Sequence, residues 1–278
     1  MRTASQIATS NRWTETRFGR LAYRVHGQPS DAPSLVLLHR FRGTLNHWDP
    51  ALLHALSRHR EVITFDSAGI GVSEGTTPDS FEGMAEVGLS LIDALGLKQV
   101  DLLGWSIGGF VAAEMTLARP SLVRRLVIAG SGPGDQSEGP ASHPRVPEIA
   151  TKPISDDEDF LFLFNAETPT SRAAGIASLE RIKAAAFEHR EVRPESFMRQ
   201  LQAIQSWGGV RSRLKSLALP MLIANGMYDV MVPAYGSYIM GFEAPNARVV
   251  LYPDSGHGFL FQYAEDFADE LDRFLKLS

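Results

Sequence analysis

Short apolar runs along the chain alternate with longer stretches in which apolar residues recur at helical spacing. Apolar runs bounded by turn residues are typical of buried strands in a sheet that is covered on both faces. The runs that predict such strands comprise residues 34–38, 61–66, 100–103, 124–129, 221–225 and 247–252. Alternating apolar and polar residues over 13–25, with Gly19 in the middle, predict a β-hairpin at the start.

The stretches between these runs have the periodicity of helices. In residues 81–97, for example, Met84, Val87, Leu91 and Leu95 would share one face of a helix. The predicted helices comprise residues 48–56, 81–97, 107–118 and 264–277. This alternation of strands and helices favours an α/β fold with a doubly wound, mostly parallel sheet of eight strands.

A long segment interrupts the alternation, which stops at residues 130–134 and resumes only at residue 221. Four prolines in this segment indicate a loop: Pro140, Pro144, Pro147 and Pro153. Helical patterns cover residues 156–164, 171–188 and 194–207. We therefore predict an α/β core formed by residues 1–133 and 213–278, and a helical cap, residues 134–212, inserted after the sixth strand. Such a cap would cover the crevice where open α/β sheets bind ligands.

Composition narrows the class of protein but not its activity. Of the 278 residues, 44% are hydrophobic and 21% charged, as in a soluble globular protein. The net charge of −5 shows no excess of basic residues, so no nucleic-acid partner is expected. The absence of cysteine excludes disulfides, thiolate metal sites and cysteine catalysis. No membrane helix or signal peptide is predicted, which favours a cytoplasmic protein; the oligomeric state stays open, a homodimer included.

The strand at 100–103 is followed by Gly104-Trp105-Ser106-Ile107-Gly108, and then by helical sequence. A strand that turns directly into a helix forces its turning residue into a strained conformation, which holds a serine hydroxyl above the sheet. Gly104 and Gly108 would approach each other closely in this turn, so neither has room for a side chain. A second Gly-x-Ser-x-Gly match, at Ser73, has no strand before it and no helix after it. Ser106 is therefore the predicted nucleophile.

A serine hydroxyl becomes nucleophilic when a base takes its proton, and the base needs a partner that fixes its tautomer. His257 follows the last predicted strand and has glycine on both sides. Asp229 follows the strand at 221–225, and the order Ser, Asp, His is typical of one class of serine hydrolases. Asp135 is the rival acid, because it follows the sixth predicted strand.

On the residues Gly104–Gly109, Asp229, Gly256-His257 and the loop at His39, the chain resembles the α/β-hydrolase superfamily. The resemblance covers nearly everything from residue 18 to residue 276. It points to the cap-bearing branch, which includes esterases, lactonases, cofactor-free perhydrolases and carbon–carbon bond hydrolases. The resemblance implies catalysis by Ser106, Asp229 and His257 without cofactor or metal. Epoxide hydrolases and haloalkane dehalogenases differ, because they carry aspartate at the position of Ser106.

The resemblance also implies an oxyanion hole made of two backbone N–H groups, those of Ile107 and Phe41. Relatives often have glycine where this chain has Arg40. Arg40 and Arg42 could add positive charge near the acyl oxygen; alternatively, they pair with carboxylates such as Asp66 or Asp49 and pin the loop. His39 is interpreted as a structural histidine rather than a base.

A small-molecule substrate is expected, and six residues are candidate contacts for it: Arg40, Trp105, Phe160, Phe164, Trp207 and Phe259. The leading hypothesis is hydrolysis of a small hydrophobic carboxylic ester or lactone through an acyl-enzyme. Carbon–carbon bond hydrolysis and perhydrolase chemistry would use the same triad. Carbon–carbon hydrolases often carry tryptophan directly after the histidine, where this chain has Gly258. A ligand receptor that turns over slowly is the non-enzymatic alternative.

Overall fold

A computed structural model describes residues 10–135, 138–185 and 190–276. Eight strands form one sheet in the order β1-β2-β4-β3-β5-β6-β7-β8. The strands are β1 (Arg12–Thr16), β2 (Gly19–His26), β3 (Ser34–Leu38), β4 (Val62–Phe65), β5 (Val100–Trp105), β6 (Val123–Ala129), β7 (Met221–Gly226) and β8 (Ala247–Tyr252). β2 pairs antiparallel with β1 and β4, and all other pairs are parallel. The predicted eight-stranded, mostly parallel sheet is confirmed.

The helices of the α/β core lie on both faces of this sheet. They are α1 (Pro50–Leu56), α2 (Phe81–Ala94), α3 (Ile107–Ala118), α8 (Tyr235–Glu243), α9 (Phe259–Gln262) and α10 (Ala264–Lys276). Buried residues of α2 and α3, such as Leu91 and Val111, pack on one face of the sheet. Those of α1 and α10, such as Leu52 and Phe267, pack on the other. The sheet is therefore doubly wound, as predicted.

Helix ends differ from the predicted ones where local geometry decides them. The helix predicted from residue 48 begins at Pro50, because the Asp49 side chain caps it by accepting from the Ala51 N–H at 2.8 Å. A separate 3-10 turn, Leu45–His47, precedes it. α2 ends before Gly96, whose φ of +70° is left-handed. The final predicted residue of α10, Leu277, lies outside the described residues.

The described residues between β6 and β7 form helices and no strand. These helices are α4 (Arg145–Ala150), α5 (Asp157–Phe164), α6 (Pro169–Ala185) and α7 (Pro194–Ser206). The prediction of a loop throughout the proline-rich part was wrong for α4. Pro144 precedes this helix and Pro147 lies in its first turn, where a missing N–H breaks no helical hydrogen bond. Residues 186–188 of the predicted second helix lie outside the described residues.

Polar contacts attach this β6–β7 insertion to loops that follow the carboxyl ends of the strands. The Gly258 N–H, after β8, donates to the Phe164 carbonyl at 2.7 Å. Ser196 of α7 donates to the carbonyl of Gly69, after β4, at 2.7 Å. The insertion therefore packs on the sheet edge at which Ser106 lies. Within the described residues, no helix combines the length and apolarity that crossing a membrane requires.

Candidate active site

Ser106 is the single residue between the end of β5 and the start of α3. Its backbone is in a strained region, with φ of +58° and ψ of −126°, as the sequence predicts for the turning residue. The Ser106 N–H donates to the Ala129 carbonyl at 2.9 Å, and its carbonyl accepts from the Gly109 N–H at 2.8 Å. These two bonds hold the strained turn between β6 and α3.

Close backbone approaches require the glycines on either side of Ser106. A Cβ atom on Gly104 would overlap the carbonyl of Gly108. A Cβ atom on Gly108 would overlap the carbonyl of Leu38, the last residue of β3. The first turn of α3 thus packs against the ends of two neighbouring strands, which brings the loop after β3 close to Ser106.

Asp229 and His257 form a buried pair. The Nδ1 atom of His257 lies 2.7 Å from Oδ2 of Asp229, and neither side chain is exposed. The other carboxylate oxygen of Asp229 accepts from the N–H groups of Met231 and Val232, at 2.8 and 2.9 Å. A carboxylate at Nδ1 holds the proton there and leaves Nε2 as an acceptor. Nε2 of His257 is buried and has no hydrogen-bond partner among the described residues.

His257 lies beside the turn that holds Ser106. The indole N–H of Trp105 donates to the His257 carbonyl at 3.0 Å, and the two rings are 5.7 Å apart. A Cβ atom on Gly130 would lie 3.2 Å from Nδ1 of His257, and Gly130 directly follows the residue that binds the Ser106 N–H. The structure thus brings together Ser106, His257 and Asp229. The rival acid Asp135 is exposed and lies against Gly209 instead.

The predicted oxyanion donors come from the loop after β3 and from the start of α3. The Gly43 N–H donates to the Arg40 carbonyl at 2.9 Å and closes a tight turn. Because the N–H and C=O of a trans peptide point in opposite directions, this bond directs the Phe41 N–H away from the turn. Neither the Phe41 nor the Ile107 N–H has a hydrogen-bond acceptor in the described part of the chain.

His39 supports the loop after β3 through a hydrogen bond and a ring contact. Its Nδ1 atom accepts from the Arg40 N–H at 2.8 Å, and its ring lies 4.4 Å from that of Trp48. Burial, with smaller contributions from the charge of Arg40 and from His47, lowers the pKa of His39 well below its usual range. His39 is therefore neutral near neutral pH, in agreement with its interpretation as a structural residue.

The prediction that Arg40 and Arg42 pair with Asp66 or Asp49 was wrong. Arg42 donates to the carbonyls of Lys152 and Pro153, at 2.7 and 2.9 Å, and so ties the loop to the β6–β7 insertion. The Asp49 carboxylate is occupied by Arg181 of α6, at 2.6 and 2.9 Å. Arg40 donates through Nη1 to the Phe41 carbonyl at 2.8 Å.

The six predicted substrate contacts fall into two groups. Arg40 lies 5.1 Å from the centre of the Phe164 ring, which is 5.6 Å from the ring of His257 and stacks on Phe160 at 4.4 Å. Phe164 therefore lies beside His257, and Arg40 and Phe160 lie next to Phe164.

The other three predicted contacts are packing residues. Trp105 and Phe259 are fully buried in the core on the face of the sheet that α1 and α10 cover. Trp207 lies 4.4 Å from the ring of Phe110, and its indole N–H donates to Glu114 of α3 at 2.9 Å. These contacts describe how the three residues pack, and their role as substrate contacts stays a prediction.

A cavity of about 50 Å³ adjoins the start of α3. Arg40, Ile107 and Gly108 line it, together with polar residues that the sequence did not single out: Ser67, Thr77 and Gln200. The Oε1 atom of Gln200 accepts from the Arg42 N–H at 3.0 Å. The sequence did carry a signal for Gln200. Ser196 and Gln200 are four residues apart on α7 and share a face with the apolar Ala203, which indicates two polar side chains on the buried face of this helix.

Comparison with known proteins gives the family. A family model described as the α/β hydrolase fold matches residues 33–263. The chain belongs to the α/β-hydrolase fold family. As an α/β hydrolase with relatives named as hydrolases and esterases, it is a hydrolytic enzyme. Among its described residues, no three acidic or histidine side chains form a group that could hold a metal ion.

Three similar proteins illustrate the relationship. This α/β hydrolase is 31% identical over 235 residues to RutD of Pseudomonas savastanoi pv. phaseolicola, provisionally named a carbamate hydrolase, covering 83% of this chain and 88% of the relative. It is 29% identical over 263 residues to a pimeloyl-[acyl-carrier protein] methyl ester esterase of Photobacterium profundum, covering 92% and 98%. A solved α/β hydrolase fold protein from Chitinophaga pinensis has 33% identity and a TM-score of 0.88, over 98% of this chain and 99% of that one.

Proposed function

We propose that this α/β hydrolase cleaves a small hydrophobic carboxylic ester or lactone through an acyl-enzyme formed on Ser106. One observation carries the proposal: a buried His257–Asp229 pair, 2.7 Å apart, lies beside a serine that is held in a strained strand-to-helix turn. A buried imidazole with a carboxylate at Nδ1 and no partner at Nε2 is arranged to accept a proton at Nε2.

In the proposed mechanism, Nε2 of His257 removes the proton from Ser106 as Oγ attacks the carbonyl carbon of the substrate. The N–H groups of Phe41 and Ile107 stabilise the oxyanion of the tetrahedral intermediate. The proton on His257 then passes to the departing alkoxide, or to the ring oxygen of a lactone, and the acyl-enzyme remains. Water then attacks the acyl-enzyme while His257 takes its proton. The proton passes to Oγ of Ser106 as the acid is released. Asp229 stabilises the imidazolium in both halves of the reaction.

The β6–β7 insertion acts in this proposal as a cap over the substrate. Phe160 and Phe164 of α5 give it an apolar surface beside His257, which favours a hydrophobic substrate and excludes water from the acyl-enzyme. The names of two relatives, a methyl ester esterase and a provisional carbamate hydrolase, agree with a carbonyl substrate of this kind.

Gly258 favours ester chemistry over carbon–carbon bond hydrolysis. A Cβ atom at this position would lie 3.0 Å from the Phe164 carbonyl oxygen, which accepts the Gly258 N–H. The tight approach leaves little room for the tryptophan that carbon–carbon hydrolases of similar fold often carry there.

The second Gly-x-Ser-x-Gly motif supplies a matched control for the proposal. We expect Ser106→Ala to lower kcat for p-nitrophenyl butyrate by at least about 10⁴-fold, because the covalent route is lost. Ser73 donates to the Asp66 carbonyl at 2.7 Å and accepts from the Ala22 N–H at 2.9 Å, so Ser73→Ala should lower stability and keep kcat. Steady-state kinetics and thermal unfolding of both variants test this. Near wild-type turnover by Ser106→Ala would exclude the acyl-enzyme.

A further inference from the structure

The guanidinium of Arg40 is an incompletely partnered cation. Within the described residues only Nη1 donates a hydrogen bond, to the Phe41 carbonyl at 2.8 Å. Nε is buried and has no acceptor, and Nη2 has none either among the described residues. A buried N–H without an acceptor is destabilising, so the folded chain retains a penalty at this group.

No carboxylate in the described part of the chain forms an ion pair with Arg40. Its surroundings are the rings of Phe164 and Trp105, at 5.1 and 5.8 Å, and the like charge of Arg42. Among the described residues Arg42 forms no ion pair with a carboxylate either, and its guanidinium donates to two backbone carbonyls. Burial, with the charge of Arg42, accordingly lowers the pKa of Arg40 to about 10. At neutral pH Arg40 is still charged, and its surroundings lack a compensating negative charge.

Arg40 lies where a substrate of the proposed reaction would extend. It lines the same cavity as Ile107 and Gly108, the first two residues of α3 after the nucleophile. The ring of Phe164 lies 5.1 Å from its guanidinium and 5.6 Å from the imidazole of His257. The part of a substrate that leads away from Ser106 can therefore reach the guanidinium inside the cavity.

We propose that Arg40 binds a carboxylate that the substrate carries in addition to its scissile ester, so that the preferred substrates are half-esters of dicarboxylic acids or lactones bearing a carboxylate. The unpartnered donors Nε–H and Nη2–H lie on one edge of the guanidinium, and that edge matches the two oxygens of a carboxylate in parallel hydrogen bonds. The bound anion supplies both the missing acceptors and the missing charge. Arg40 is then a specificity-determining residue; this inference rests on the proposed function.

Matched pairs of methyl esters test the inference. Monomethyl adipate and methyl hexanoate have acyl chains of equal carbon number and differ in the terminal carboxylate; the succinate and suberate half-esters, each against its neutral counterpart, vary the distance. For at least one pair, we expect the wild type to prefer the half-ester by at least about tenfold in kcat/KM, mainly through KM. Arg40→Met should abolish this preference. Arg40→Lys, which keeps the charge but not the paired donors, should retain part of it.

Two controls separate the possible failures. Arg42→Met removes a neighbouring cation and a loop contact, so it should slow both members of a pair alike and keep their ratio. The affinity of Ser106→Ala for monomethyl adipate can be measured by calorimetry without turnover. It should fall at least about tenfold in the double variant that also carries Arg40→Met. Equal kcat/KM within every wild-type pair, or equal affinity in the calorimetric comparison, overturns the role of Arg40. A wild type that hydrolyses no ester but binds the half-ester through Arg40 overturns the proposed function alone.

Discussion

Burying a carboxylate next to an imidazole is favourable only when both groups are fully partnered, and Asp229 meets this condition. Its two oxygens receive three hydrogen bonds, from the Met231 and Val232 N–H groups and from His257. The backbone donors come from the turn directly after β7, so they hold the carboxylate independently of His257. The carboxylate in turn fixes the tautomer of His257, with the proton on Nδ1.

The tautomer of His257 explains why catalysis depends on Asp229. In Asp229→Asn the amide can donate to Nδ1, which would move the proton to Nε2, where it blocks proton removal from Ser106. We expect kcat to fall by roughly 10³ to 10⁴-fold with little loss of stability. Asp135→Asn is the matched control, because Asp135 is exposed and should leave kcat unchanged. Ester hydrolysis by the two variants decides between the acids, and the reverse pattern would assign the role to Asp135.

At the scale of single residues, the positions of Ser106, Asp229 and His257 after predicted strands were enough to place all three at one edge of the sheet. Each follows the carboxyl end of a predicted parallel strand, and those ends meet at one edge of the sheet. The partners of Arg42 could not be predicted, because they are backbone carbonyls of residues 152 and 153, more than 100 positions away. Backbone carbonyls carry no sequence signal, whereas the acidic residues nearby in sequence suggested an ion pair.

At the scale of elements, α5 is a part of the insertion that lies beside the loop of His257. Its last residue, Phe164, contacts the loop of His257 through the Gly258 hydrogen bond and through its ring. α5 was predicted within one residue because Asp156 caps it and its apolar run is dense. α4 was missed because prolines at a helix start resemble those of a loop.

The position of Phe164 predicts a change of specificity. Phe164→Leu should alter the relative kcat/KM of methyl esters of different acyl length, because the pocket wall beside His257 changes shape. Each methylene that gains or loses burial should contribute about 0.8 kcal/mol, or about fourfold in kcat/KM. Trp207→Leu, which alters packing on α3, should lower the melting temperature and slow all esters in parallel. If Phe164→Leu also lowered the melting temperature and slowed all esters equally, Phe164 would be a core residue with no role in specificity.

At the scale of the whole molecule, stability depends on polar groups buried far from the active site. His26, at the end of β2, is 2% exposed, and its Nε2 lies 3.0 Å from the Thr64 hydroxyl of β4. Burial, with the charge of Arg24, lowers the pKa of His26 to about 4. The predicted hairpin ends at residue 25, one residue before His26, so the sequence gave no indication that this imidazole would be buried.

The lowered pKa of His26 makes the fold sensitive to acid. The unfolded chain binds a proton at this residue near pH 6.5, and the folded chain only near pH 4, so stability is complete above pH 6.5 and falls as the pH decreases toward 4. Between pH 7 and about 4.5, His26 should account for a loss of about 2 to 3 kcal/mol in the free energy of unfolding. Urea unfolding at both pH values should show this loss reduced in His26→Gln. His54→Gln, which replaces an exposed histidine, should lose as much unfolding free energy between the two pH values as the wild type. If His26→Gln lost as much as the wild type, the acid sensitivity could not be assigned to His26.

The central claim is that Ser106 forms a covalent intermediate, and peptide mapping by mass spectrometry after reaction with a fluorophosphonate tests it most directly. The account predicts one adduct per chain, on the peptide containing Ser106, with none on the peptide containing Ser73 and none in Ser106→Ala. An adduct on a different residue, or labelling of Ser106→Ala at the wild-type rate, would contradict it.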